Sequence, residues 1–134
     1  MRDYFDIVLG GDELSRISNL GLAHMGDAVY ELLVRTMLCA AGGATSKELH
    51  REAIARVSAG AQAQAVKKLL PLLTEEEETV YRRGRNAHVH SVPAHASQGD
   101  YHAATGLETL FGYLYLRGEK TRISELFSAI WEVE

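Results

Sequence analysis

Nowhere in the chain do Val, Ile and Thr alternate with polar residues as a half-buried strand requires. Apolar side chains recur instead at intervals of three and four, the spacing that lines one face of a helix. Only two prolines, Pro71 and Pro93, interrupt this pattern in 134 residues. The chain is thereby confined to an all-α fold, a helical bundle without a sheet.

The helix signals can be placed individually. Ser18 or Asn19 caps a helix that stops at Gly42-Gly43. A second is expected from Thr45-Ser46 through Leu70, with Leu49, Ala53, Val57 and Ala61 on one face and Pro71 just beyond. Thr74 with Glu77 three residues on forms a capping box, opening a short helix to about Arg83. A loop, 84–99, follows. Asp100 is expected to cap a helix to about Arg117, and a last amphipathic helix runs from Thr121 to Val133 with Ile123, Phe127 and Trp131 as core anchors.

At this length a single domain, residues 1–134, can bury a core without disulfides or metals to staple it. The content, 46% hydrophobic and 24% charged, is that of a globular chain and not of a disordered one. One cysteine cannot form an internal disulfide, which favours a reducing, intracellular setting; Cys39 is expected as a small buried apolar residue. No signal peptide is visible, and no apolar run reaches the roughly 18 residues of a membrane span. The formal charge of −4 says little about local patches.

Two carboxylates do not fit the pattern. Between Leu20 and Ala41 the strongly polar residues are His24, Asp27, Glu31 and Arg35, spaced three, four and four apart on one stripe of an otherwise apolar helix. A solvated stripe with a Glu31–Arg35 pair would explain them, at a few tenths of a kcal/mol. The segment ATGLETLFGYLYL, however, carries Glu108 among Leu107, Leu110 and Phe111, where a carboxylate needs a partner. Asp27 and Glu108 on two core helices could share a divalent cation. Hard oxygen ligands select Mg²⁺, which keeps several waters and takes one or two carboxylates.

The segment YRRGRNAHVH concentrates Arg82, Arg83 and Arg85 with Asn86, His88 and His90. Guanidinium forks match phosphate oxygens, and a Gly-rich setting lets them adapt to a polyanion; a solvated charged loop would look the same. His88 and His90 lack the nearby cysteine or third constrained ligand that zinc would need. A metal site beside a basic segment suggests phosphodiester cleavage assisted by a metal.

LAHMGDAVYE resembles the signature helix of the ribonuclease III domain, and TGLETLFGYLYL resembles its second catalytic helix. TSKELHREAIARVSAGAQAQ and TEEEETVYRRGRNA add blocks, in order, that are similar to those of the Mini-ribonuclease III subfamily, so that the resemblance spans about residues 15–130. It implies a ribonuclease III-type endonuclease with catalytic, metal-binding Asp27 and Glu108; Glu31, one turn from Asp27, is expected to add an outer or water-mediated contact to the metal. It also implies Mg²⁺, a two-fold homodimer, double-stranded RNA as substrate and the ends of 23S ribosomal RNA precursor in a bacterial cytoplasm as target. Ala23 and Thr105 stand where the larger enzymes carry further acids. With no double-stranded-RNA-binding domain expected, Arg82, Arg83, Arg85, Asn86 and His88 become the expected RNA-binding residues. The stripe Leu22, Met25, Val29, Leu32 and Leu33 serves either the core or the dimer contact.

Two other classes are compatible with an all-α chain: a non-catalytic RNA-binding homodimer of this fold, and an interaction module with no nucleic-acid role. The presence of both Asp27 and Glu108 speaks against the first, and salt-dependent binding to duplex RNA would exclude the second.

Overall fold

Ser18 accepts a hydrogen bond from the Gly21 amide at 2.9 Å and so starts the longest helix of the molecule. The computed structural model describes residues 1–87 and 97–131; expectations for His88, His90 and the final turn at Val133 lie outside them. Among the described residues there are helices and turns but no strand, as the periodicity predicts. The helices are α1 (Gly11–Ser15), α2 (Asn19–Ala41), α3 (Ser46–Val57), α4 (Ala59–Leu69), α5 (Glu75–Arg85), α6 (Gln98–Leu116) and α7 (Lys120–Trp131), with a 3-10 turn over Leu70–Leu72.

α6 is the axle of the bundle. It packs against α2, α4, α5 and α7, and its Leu107, Leu110 and Phe111 are almost wholly buried. Tyr30 of α2 sets its ring edge-on to Phe111 at 5.4 Å and to Phe127 of α7 at 5.9 Å, tying three helices together. Ile123 and Phe127 are core residues, as their spacing predicts. Trp131 is only half-buried: it stacks on Phe127 at 5.7 Å and carries the Arg56 guanidinium on its face at 4.2 Å.

Several boundaries differ from the sequence expectation, each for a local reason. The expected second helix is two. Ser58 is extended (φ −60°, ψ 155°), and its hydroxyl accepts from the Ala61 amide at 3.2 Å, so it closes α3 and caps α4. Asp100 does not cap α6; Ser97 does, accepting from the Asp100 amide at 3.1 Å, which places Asp100 in the first turn. α5 runs to Arg85, so Arg85, expected in the loop, is helical like Arg82 and Arg83. Four glutamates in its first turn and three arginines in its last complement the helix dipole at both ends.

Cys39 is exposed, not buried: it stands on the outer side of the last turn of α2, at a shallow cleft shared with Leu49 and Ala53 of α3. α1 was not signalled by the sequence. It buries Leu14, and the segment before it is fastened by the Leu9 amide to the Leu116 carbonyl at 2.7 Å and by Lys120 to Asp6 at 3.1 Å. Of the apolar stripe on α2, Leu22 and Val29 belong to the core, Met25 and Leu33 are partly covered, and Leu32 remains 54% exposed.

Candidate active site

Asp27 and Glu108 come together because two helix backbones touch. A Cβ added to Gly26 would overlap the Glu108 carbonyl oxygen, and one added to Gly112 would overlap the Leu22 carbonyl oxygen. Leu22 and Gly26 are one turn apart on α2, as Glu108 and Gly112 are on α6, so the contact is reciprocal and antiparallel. Only glycine allows two helices this close. Asp27 follows Gly26 directly, and its carboxylate is thereby carried alongside that of Glu108.

The electrostatics are those of two acids sharing a small space. Burial pushes the Glu108 carboxyl up to about 8, and the neighbouring Asp27 charge and a hydrogen bond with Asp27 push in the same direction. The Gln62 amide opposes this by donating to Glu108 Oε2 at 3.5 Å. Glu108 is half-buried and Asp27 exposed, so the pair opens to solvent on the Asp27 side. On that side His24, Asp27, Glu31 and Arg35 line a shallow cleft of about 470 Å³.

Glu31 lies one turn beyond Asp27, and its carboxylate is paired with Arg35 at 2.5 Å. Among the described residues no cluster of three or more His, Cys, Asp or Glu side chains converges, so Asp27 and Glu108 are the acids brought together. Thr105, one turn before Glu108, is buried and donates its hydroxyl to the Tyr101 carbonyl at 3.0 Å, while Ala23 is packed in the core. Neither offers a ligand to the pair.

Gln62 is the residue that the sequence reading missed. It is 2% exposed, and its place one and two turns before Val66 and Leu69, both buried, marks it as a polar residue on the core face of α4. That misfit in AGAQAQAV is the same kind of signal that singles out Glu108.

The three arginines of α5 diverge. Arg82 reaches toward Glu78 at 3.7 Å, with both side chains about half exposed. Arg85 lies over the Tyr81 ring at 5.8 Å and donates to Asn86 Oδ1 at 3.3 Å. Arg83 lines a separate cavity of about 830 Å³ at the C-terminal end of α6, with Leu14, Leu22, Tyr113 and Arg117 among its walls. There Glu76 accepts from the Tyr113 hydroxyl and from Arg117 Nη1 at 2.7 Å.

Comparison with known proteins gives this bundle, organised on a buried helix with two acids paired across a glycine crossing, its class: a ribonuclease III domain. The ribonuclease III domain matches residues 20–119. The Mini-ribonuclease 3 of Symbiobacterium thermophilum is 48% identical over 110 residues, which are 82% of this chain and 85% of that protein. That of Enterococcus faecalis is 42% identical over 130 residues, 96% of this chain and 91% of its own. A crystal structure of a protein from Fusobacterium nucleatum superposes with a TM-score of 0.82 at 28% identity, covering 90% of this chain and 96% of the other. The chain belongs to the ribonuclease III domain family, in its Mini-ribonuclease 3 group, and is an endoribonuclease.

Proposed function

We propose that this endoribonuclease cuts double-stranded RNA with Asp27 and Glu108 as its catalytic, metal-binding acids and Mg²⁺ as its cofactor. The observation that carries the reading is the convergence of these two carboxylates at the α2–α6 crossing, open to solvent on one side. The donor set fits the ion. It is made of oxygen alone, and two acids that repel one another when both are charged gain from a shared cation. Bound there, Mg²⁺ supplies Lewis acidity and a more acidic water. Asp27 and Glu108 would hold the ion, and Glu108 would have to release its proton to serve as a ligand. Glu31 stays one turn away with Arg35 and is proposed at most as an outer contact.

Arg82, Arg83, Arg85 and Asn86 at the C-terminal end of α5 are proposed to contact the phosphate backbone, as is His88, which lies outside the described residues. The loose Arg82–Glu78 pair can exchange Glu78 for a phosphate at little cost, since exposed pairs contribute 1 kcal/mol or less. A two-fold homodimer would offer one Asp27/Glu108 pair to each strand of a duplex. Leu20, Leu32 and Met37, left exposed on α2, are apolar surface available to such a contact. The proposed target is the ends of the 23S ribosomal RNA precursor in the bacterial cytoplasm. No described helix is long and apolar enough to cross a membrane.

Cleavage of duplex RNA in Mg²⁺ by wild type and by Asp27→Asn tests the reading. Wild type should cut and the variant should fall at least about a hundredfold, the scale on which single electrostatic groups act in catalysis. Equal activity in the two would remove Asp27 from the site, and mapping of precursor 23S ends with the purified enzyme tests the target.

A further inference from the structure

Gln62 is built into the bundle with an unmet need. Its Nε2 donates to the Val57 carbonyl at 3.0 Å and to Glu108 Oε2 at 3.5 Å. The Val57 carbonyl can only accept, which fixes the amide with its nitrogen on that side. The other end, Oε1, is fully buried and has no hydrogen-bond partner. A buried amide oxygen without a donor is rare in native proteins and calls for a reason.

The reason is not helix formation. Gln62 lies past the Ser58 cap, and its neighbours on the same face of α4, Val66 and Leu69, are apolar and well packed. Leucine or methionine there would remove the orphaned oxygen, at the cost of the donor that Gln62 gives to the Val57 carbonyl and to Glu108. Two carboxylates by themselves also leave most of the coordination sphere of a hard cation to water, and each such water carries hydrogens that need acceptors. Glu31, the other acid of the Asp27 stripe, is held by Arg35.

We infer that Gln62 completes the divalent-cation site of Asp27 and Glu108, holding Glu108 through Nε2 and, once ion binding opens the enclosed Oε1, accepting from the water of the ion. This rests on the metal-site reading above and adds a residue to it. Gln62 is a positioning residue, not a catalytic one, because it acts through Glu108 and the water of the ion. It explains how a site with two converging acids can hold a cation without a third carboxylate.

The test is Mn²⁺ binding to the full chain without RNA, followed by calorimetry or by loss of the free-ion electron spin resonance signal. Gln62→Leu removes donor and acceptor while keeping the volume; it should weaken Mn²⁺ binding about tenfold or more, the usual effect of losing an outer partner of a metal ligand. Gln62→Glu keeps an acceptor and adds charge, and should bind Mn²⁺ more tightly than Gln62→Leu. Circular dichroism melts confirm that each variant is folded; should Gln62→Leu not fold, Gln62→Met takes its place with the same expectation. Mn²⁺ affinity within twofold of wild type in a folded Gln62→Leu or Gln62→Met, or Gln62→Glu no tighter than Gln62→Leu, overturns the inference. Asp27→Asn separates the two levels: if it binds Mn²⁺ as wild type does, the metal-site reading itself fails. If only Asp27→Asn loses binding, Gln62 alone is misassigned.

Discussion

Gly26 and Gly112 face each other across α2 and α6, each against the backbone of the other helix with no side chain between. The spacing of Asp27 and Glu108 is therefore set by backbone contact, which is stiffer than any rotamer. Gly112→Ala would drive a methyl into the Leu22 carbonyl, a collision with backbone that no side-chain motion relieves. Destabilisation of about 3 kcal/mol is expected, at the upper end of overpacking effects. Urea denaturation measures it; a change under about 1 kcal/mol would mean that the helices separate easily and the crossing does not define the site.

The acid pair gives the protein a signature in pH. Glu108 sits near 8 in the fold against an ordinary 4.5, so the folded chain keeps a proton that the unfolded chain has already released. The stability tied to this group is complete below about pH 4.5 and is lost as pH rises through about 8. Glu108→Gln, which cannot ionise, should flatten that decline and melt several degrees above wild type at about pH 9. Melting curves across this range that run parallel in the two proteins would contradict the shared-space picture.

A second buried acid behaves in the opposite sense. Glu77 receives both Nε and Nη2 of Arg122 at 2.8 Å, and Arg122 Nη2 also reaches the Leu72 carbonyl at 2.8 Å. Hydrogen bonds from Arg122 hold the Glu77 carboxyl below its ordinary value, so this contribution is present above about pH 4.5 and fades as pH falls through the lowered pKa. Arg122→Ala leaves Glu77 buried with its hydrogen bond from the Thr74 amide but no counter-charge, and should cost about 3 kcal/mol at neutral pH. The loss should shrink near pH 4, where the stranded acid takes up a proton. A pH-independent loss would point to packing rather than charge.

RNA binding should report on the end of α5. With Arg82 and Arg85 both changed to Ala, the slope of log affinity against log salt should become shallower by about 1 for each arginine on a phosphate. The loss should be alike for different duplex sequences, since a backbone grip carries no base information. An unchanged slope would move the RNA surface elsewhere on the molecule.

Much of this was legible in the residues. Thr74-Glu77 and Ser18 named two helix starts, and the isolation of Glu108 among Leu107, Leu110 and Phe111 flagged the acid that α6 carries. What hid were features set by other parts of the chain. Ser58 reads as an ordinary helical serine until its hydroxyl is seen on the Ala61 amide. Gln62 looks like surface until α4 is laid against α6, and the three arginines look like one patch until the helix turns them apart. Cys39 was misjudged because composition cannot say which side of α2 a small apolar residue occupies.

That exposed cysteine gives the chain an unusual experimental handle. The protein has a single thiol, and it stands in solvent near the end of α2 without any engineering. A nitroxide attached there yields one label per chain, so a pulsed dipolar measurement returns a single sharp distance from a symmetric pair and none from a lone molecule.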